Sequence, residues 1–320
     1  MSVTSSKSLL KRKSVHPAIY FRIEAESIKR ANAACSKYGK VMDLLSYWNL
    51  HERPFETTWD TRFFFQSRDH DEALERLTFL VEEQTMLFGM LTGEIGCGKT
   101  LTRAVFTERL EARKFRVVTQ ESSAFRFNDL IGSVLQNIED NYTPARTKFA
   151  RYDRLRQAME RIHAENRHLV LIFDEAQEMS CATLNELKLL TNLNGGGKNL
   201  VTIILVGQPE LRELIVKLPP INQRISLRFH LNPLNLEDAG EYLKHRLKVA
   251  GHSTGELFSA DAVEFAFQSS QGIPRELNRL AKLALEFAWL QGYADVPLDA
   301  VKAIVKDLQR HHNPSLVPVS

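Results

Sequence analysis

Cysteine is scarce in this chain of 320 residues. There are three, Cys35, Cys97 and Cys181, and their spacing forms no pattern. That argues against a disulfide framework and for reduced thiols. Long apolar runs are missing as well. No stretch approaches the roughly 20 apolar residues of a membrane span. The opening residues, MSVTSSKSLLKRKS, are basic but lack the apolar core of a secretory signal. The expectation is a cytoplasmic protein. Acid is scarce in one region only. Residues 1–40 carry two Asp/Glu against nine Lys/Arg, a net charge of +7 that the whole-chain value of +3 conceals. A basic arm on a slightly acidic body suits a polyanionic partner, nucleic acid or a lipid surface. A solvated tail is the plainer alternative.

What is present is ordinary for a globular protein: 43% apolar and 25% charged residues. The length suits one large or two modest domains. The chain is organised around Gly93-Glu94-Ile95-Gly96-Cys97-Gly98-Lys99-Thr100, which fits G-x-x-x-x-G-K-[ST]. Residues 86–91 (MLFGML) read as a buried strand before it, and residues 101–110 have helical spacing after it. Strand, glycine loop and helix form a phosphate cradle. Backbone N–H groups close around the anion, and the helix N-terminus adds partial positive charge. Lys99 is expected to reach the β- and γ-phosphates and the Thr100 hydroxyl to hold Mg²⁺.

Upstream, Ile28, Ala31, Cys35, Tyr38, Met42 and Leu45 form one helical stripe, interrupted by Gly39. Residues 43–70 are aromatic-rich and irregular, and an amphipathic helix is expected over 71–83. Downstream, strands are predicted at 116–119, 169–173, 200–206 and 226–231. Helices are predicted at 128–138, with Asn128 as its cap, and at 152–165, 183–193 and 210–217. Residues 194–199 read as a loop and 221–224 as a short helical segment. Continuous apolar strands alternating with helices imply a parallel sheet covered on both faces. After residue 235 the alternation stops. Four helices are predicted, at 236–250, 259–270, 274–291 and 298–310. Ser259 and Asp299 suit caps or first turns, and Pro274 suits a first turn.

The second chemical signal is LVLIF ending in Asp174-Glu175. Asp174 is placed to support Mg²⁺ through its waters, and Glu175 to act as general base toward the attacking water. Gln208, at the end of the strand over 200–206, is placed to touch the γ-phosphate or that water. Closing the turn before the next helix is its plainer role.

An α/β nucleotide-binding core followed by a small helical lid resembles the AAA+ ATPases. TGEIGCGKT, LIFDEAQ, GQPEL, the QR-I-x-x-R-F segment, GIPREL and the aromatic stretch over 50–65 resemble the ExeA/GspA-type group, over roughly residues 43–310. The resemblance implies a P-loop NTPase core over 41–232, a lid over 233–310, a basic extension over 1–40 and a tail over 311–320. It implies ATP held by residues 93–100 and Leu101, with Mg²⁺ on Thr100 and Asp174. Glu175 and Gln208 are then catalytic, and Arg224 resembles a finger reaching the neighbouring subunit's nucleotide, with Arg228 as second choice. Arg275 resembles the lid arginine that senses the γ-phosphate. Pro54 and Phe55 are candidates for the adenine site and equally for the core. Cys97 contributes backbone, and its thiol is oxidation-sensitive if exposed.

The same resemblance implies an ATP-dependent homo-oligomer, a ring or filament. Compact ATPases of this type, such as the TnsC/TniB-like transposition helpers, assemble on duplex DNA and recruit a transposase, and the basic arm suits that role. ExeA-like support of envelope assembly is the first alternative. A slowly hydrolysing nucleotide-gated adaptor is the second.

Overall fold

The computed structural model describes residues 43–312, apart from positions 58, 122–124, 146 and 196–197. The basic extension and most of the stripe through Ile28 and Met42 lie outside the described residues. From Leu44 onward the described chain belongs to one compact unit.

A short helix, α1 (Leu44–Tyr47), and a single 3-10 turn at Thr61–Phe63 are the only regular pieces before α2 (Arg68–Glu83) among the described residues. The α/β part then runs β1 (Phe88–Gly93), α3 (Lys99–Arg109), β2 (Phe115–Gln120), α4 (Phe127–Ile138), α5 (Lys148–Ala164), β3 (His168–Phe173), α6 (Cys181–Thr191), β4 (Val201–Gly207), α7 (Glu210–Val216), α8 (Pro219–Asn222) and β5 (Ile225–Leu231). The five strands form one parallel sheet in the order β2-β3-β4-β1-β5. Strands β1, β3 and β4 are buried at every position, whereas the edge strands β2 and β5 are only partly buried. This is the pattern of a sheet covered on both faces.

The two-residue period of the strands divides the core. Leu169, Leu171 and Phe173 of β3 and Ile203 and Leu205 of β4 face α4, α5 and α6, where they meet Phe127, Leu155 and Leu187. Val170, Ile172, Ile204 and Val206 point the other way, toward Leu77 and Leu80 of α2 and Phe106 of α3. Four helices follow: α9 (Leu236–Val249), α10 (Ala260–Ser270), α11 (Pro274–Gln291) and α12 (Leu298–His312). Pro274 occupies the first turn of α11, and Gly292 closes it in the left-handed region. Ser259 caps α10 by accepting from the Ala262 N–H, and Asp299 lies in the first turn of α12. No described helix is long and apolar enough to cross a membrane.

Three local expectations need correction. Asn128 does not cap α4: the helix begins at Phe127 after Arg126, and the buried Asn128 Oδ1 has no hydrogen-bond partner among the described residues. Burial of Phe127 in the core decides the start, and no side chain caps it. Helices α2 and α5 begin earlier than periodicity indicated, because Ser67 and Thr147 provide caps one turn upstream. The loop over 194–199 contains a short antiparallel ladder, Asn194–Gly195 against Lys198–Asn199.

Candidate active site

Strand β1 delivers its C-terminal end to the glycine loop, and α3 begins directly after it. Gly96 (φ 89°) and Gly98 (φ 97°) adopt the left-handed region that favours glycine. The space is also taken. A Cβ at Gly96 would stand 2.7 Å from the Arg275 Cβ, and one at Gly98 3.1 Å from His70 Nε2. Gly98 precedes α3 without a side-chain cap, which leaves first-turn N–H groups free for an anion. Lys99 is 6% exposed, and its Nζ donates to Gly93 O (2.7 Å) and Glu94 O (2.9 Å). Burial pushes this ammonium below the usual lysine range, while the nearby Glu175 and Asp174 carboxylates pull it back. A buried cation held by two carbonyls fits a triphosphate, which supplies the missing charge.

His70 braces the loop from α2. Its Nδ1 lies 2.6 Å from Ser67 Oγ and its Nε2 3.3 Å from Cys97 O. Cys97 O can only accept, so Nε2 carries the proton and the Ser67 hydroxyl donates to Nδ1. The neutral ring satisfies both neighbours. Burial pushes its protonation below the ordinary histidine value.

At the end of β3, Asp174 is buried, and its Oδ2 accepts from Arg103 Nε (3.1 Å). Its Oδ1 accepts from the Glu175 N–H (3.0 Å). Burial raises this carboxyl above the usual range, and the Arg103 guanidinium opposes the shift. Glu175 has φ 48° and ψ 40°, a conformation that costs a non-glycine residue about 1–3 kcal/mol. Its Oε2 accepts from Gln177 Nε2 (2.6 Å) and from Gln208 Nε2 (3.3 Å). Gln177 was not among the predicted site residues, although it stands inside LIFDEAQ.

Above the loop lies a cleft of about 240 Å³. Gly96, Gly98, Lys99, Thr100, Leu101, Ile95, Glu175 and Gln208 line its phosphate end. Thr57, Trp59, Phe63, Phe64 and Phe65 form an aromatic wall, and Leu234, Tyr242, Arg246, Pro274, Arg275 and Asn278 close it from the lid side. The lid is joined to the loop directly, the Arg275 N–H donating to Gly96 O (3.3 Å), and within the lid the Leu234 N–H donates to Gly272 O (2.9 Å). Arg246 is 4% exposed. It donates to Pro54 O (2.5 Å), Glu56 O (2.9 Å) and Tyr242 Oη (3.1 Å), and stacks over Phe63 at 4.7 Å. Two larger hollows, about 570 and 520 Å³, lie beside Arg154 and Arg161 and hold none of the predicted residues. They border an ion-pair network, with Glu139 taking both Arg154 and Arg161.

Of the adenine candidates, Pro54 and Phe55 are buried outside the cleft, and Phe55 packs edge-to-face on Phe258. The Cys97 thiol is fully buried and pushed up by burial, so the condition for oxidation sensitivity is not met. Arg224 donates to Pro220 O (2.7 Å) and Arg228 to Asn222, both away from the chain's own cleft. Among the described residues no cluster of three or more His, Cys, Asp or Glu could hold a metal ion. The two groups expected to take Mg²⁺, the Thr100 hydroxyl in the cleft and the Asp174 carboxylate at the end of β3, are oxygen donors, the ligand type that this ion takes, one or two from protein.

Residues 82–215 match the model of the AAA domain family. General secretion pathway protein A of Aeromonas hydrophila is 30% identical over 249 residues, which is 77% of this chain and 45% of that protein. The chain thus spans about half the length of the curated relative it matches. Among solved structures, the Aeropyrum pernix ORC2 protein in its ADPNP–ADP complexes superposes with a TM-score of 0.61 at 17% identity, over 83% of this chain and 75% of that one. Cdc6p of Pyrobaculum aerophilum gives 0.60 at 15%, over 76% and 67%. Drosophila ORC bound to DNA gives 0.59 at 14%, over 92% and 77%. The sheet order, the lid joined to the glycine loop and these matches agree: the chain has the P-loop fold of AAA+ proteins, matches the AAA domain model over residues 82–215, and is similar to general secretion pathway protein A over most of its length.

Proposed function

We propose that this protein binds ATP in the cleft, hydrolyses it, and uses that cycle as an oligomeric switch on duplex DNA. The observation that carries the catalytic reading is convergence: Lys99, Thr100, Glu175 and Gln208 of the core and Arg275 of the lid line one cavity. Lys99 and the α3 N-terminus bind phosphate oxygens. Thr100 and Asp174 would hold Mg²⁺, which neutralises phosphate charge when bound. Glu175 accepts the proton of the attacking water. Gln208 orients that water, and Arg275 couples the γ-phosphate to the lid. Arg224, outside its own cleft, serves the neighbouring subunit, with Arg228 as the alternative.

Two observations support DNA as the partner: the net charge of +7 over residues 1–40 and fold neighbours determined with DNA. Recruitment of a transposase is the finer form of this reading. One observation favours a second reading, ATP-driven support of envelope assembly: the curated relative is a general secretion pathway protein.

The test measures ATP turnover and nucleotide binding for the wild type and Glu175→Gln. The variant should bind ATP and lose about 100-fold or more in kcat. Surviving hydrolysis would place the base elsewhere. Wild-type binding without turnover would favour the nucleotide-gated adaptor. Negative-stain microscopy with a non-hydrolysable analogue, with and without duplex DNA, then tests the switch. Rings or filaments on DNA support it. Absence of DNA binding at low salt, with sedimentation on acidic liposomes, supports the envelope reading.

A further inference from the structure

Gln177 is absent from the cleft wall, yet it touches both polar residues on that side. Its Nε2–H donates to Glu175 Oε2 (2.6 Å), and its Oε1 accepts from the Gln208 N–H (3.0 Å). The amide has one workable orientation, because a backbone N–H only donates and a carboxylate only accepts. Its seat is built. A Cβ at Gly207 would stand 2.6 Å from Gln177 Oε1. Gly207 is not among the residues with positive φ, so the missing side chain serves space rather than backbone conformation. Among the described residues, the hydrogen bonds to the Glu175 carboxylate all arrive at Oε2, from Gln177 and Gln208. A base held by one oxygen keeps the other for water.

We propose that Gln177 is a positioning residue for hydrolysis: it fixes Glu175 by Oε2 and ties it to the end of β4, so that base and Gln208 move as one unit. This rests on Glu175 being the general base. The backbone of Glu175 is already in an uncommon conformation, which persists only where the surroundings hold it. The Gln177 amide supplies part of that hold at the side chain.

The test uses the full chain with saturating ATP, and binding of a fluorescent ATP analogue reports an intact loop. Gln177→Met keeps the volume and removes both hydrogen bonds. It should lower kcat about tenfold or more and change KM less than about threefold, the split expected when only the reacting geometry is lost. Gln177→Glu sets a second carboxylate against Oε2. It should move the acid limb of the kcat–pH profile upward, as like charges in contact require. Gly207→Ala should displace the amide and reproduce the loss. Placed on Gln177→Ala, where the nearest clash is gone and only the flexible end of Leu211 (Cδ2, 3.0 Å) must give, it should add much less than it does to the wild type. A Gln177→Met kcat within about twofold of wild type overturns the proposal, given the size of positioning effects. An unshifted acid limb in Gln177→Glu does the same, and decides the matter if the Met variant loses binding. Glu175→Gln is run alongside. If it still hydrolyses ATP, the general-base reading falls and this proposal with it. If it is inactive while Gln177→Met is not, only the role of Gln177 falls.

Discussion

At the phosphate end of the cleft, residues drawn from one short stretch, 95–101, and from the ends of two neighbouring strands, β3 and β4, form the wall; at the base end, residues from three separate segments meet. At the phosphate end Arg103 pairs with the Asp174 carboxylate, while Lys99 rests on the carbonyls of Gly93 and Glu94 with the Glu175 carboxylate nearby. The base end contains a single buried guanidinium, Arg246, and none of its hydrogen-bond partners among the described residues is a carboxylate. Backbone carbonyls and two aromatic rings hold it instead. The first arrangement leaves cationic capacity for a ligand. The second spends its cation on structure, fastening α9 of the lid to the aromatic segment. On the proposed function, one end of the site reacts and the other holds the lid where the base would sit.

The sharpest way to break this comparison is Arg246→Met. Two carbonyls lose their donor, and each buried orphan costs about 1–3 kcal/mol. Loss of the ring stacking adds to that, so unfolding stability should fall by about 3–5 kcal/mol in denaturant titration. Arg246→Lys should recover only part of it, since an ammonium cannot reproduce the planar fork. A loss below about 1 kcal/mol, the scale of an ordinary exposed contact, would show that Arg246 is not a structural strut.

A second test concerns His70, which joins the two ends by bracing the loop at Cys97 O. Its folded-state protonation lies below the ordinary 6.5, chiefly because of burial, while Asp69, Asp238 and Asp71 pull weakly the other way. The unfolded chain therefore binds the proton first. Stability should be fully present above pH 6.5 and decline as pH falls through the lowered folded value. His70→Gln, which can still donate to Cys97 O, should decline less over the same range. The difference between the two curves separates His70 from His168, which burial pushes down to about 4. Parallel curves would remove His70 as the titrating joint.

The same contrast explains what could be read from the chain alone. Gly93 through Leu101 and Asp174-Glu175 are contiguous, and their chemistry requires those residue types in that order. The apolar strands before them are buried on both faces, so composition identifies them without tertiary knowledge. The aromatic wall could not be read this way. Trp59 is far in sequence from Tyr242 and Arg246, and nothing local separates Phe63, which lines the cleft, from Phe55, which packs on Phe258. Asn128 misled because a good capping residue stood one position inside a helix whose start is set by burial of Phe127. Gln177 was visible in LIFDEAQ, but its role depends on Gly207, which becomes its neighbour only once β4 lies beside β3.

The smallest predicted effect sharpens the comparison most, because it separates the two ends within one ligand. Trp59 is 64% exposed at the mouth of the cleft, beside Phe63 and Phe65. An indole left open there offers a face for a purine to stack on, and stacking of a base on an aromatic side chain is worth about 1–3 kcal/mol. Solvent keeps the gain at the low end. Trp59→Ala should therefore weaken ATP binding by about fivefold, which corresponds to about 1 kcal/mol in isothermal titration. Trp59→Phe should stay within about threefold, since a smaller ring still stacks. Inorganic tripolyphosphate carries the charges of ATP and no base. Its affinity should not change in either variant, because Lys99 and the α3 N-terminus alone would hold it. An equal loss for ATP and tripolyphosphate would mean that Trp59 shapes the loop rather than the base pocket, and the two ends could no longer be treated as separable.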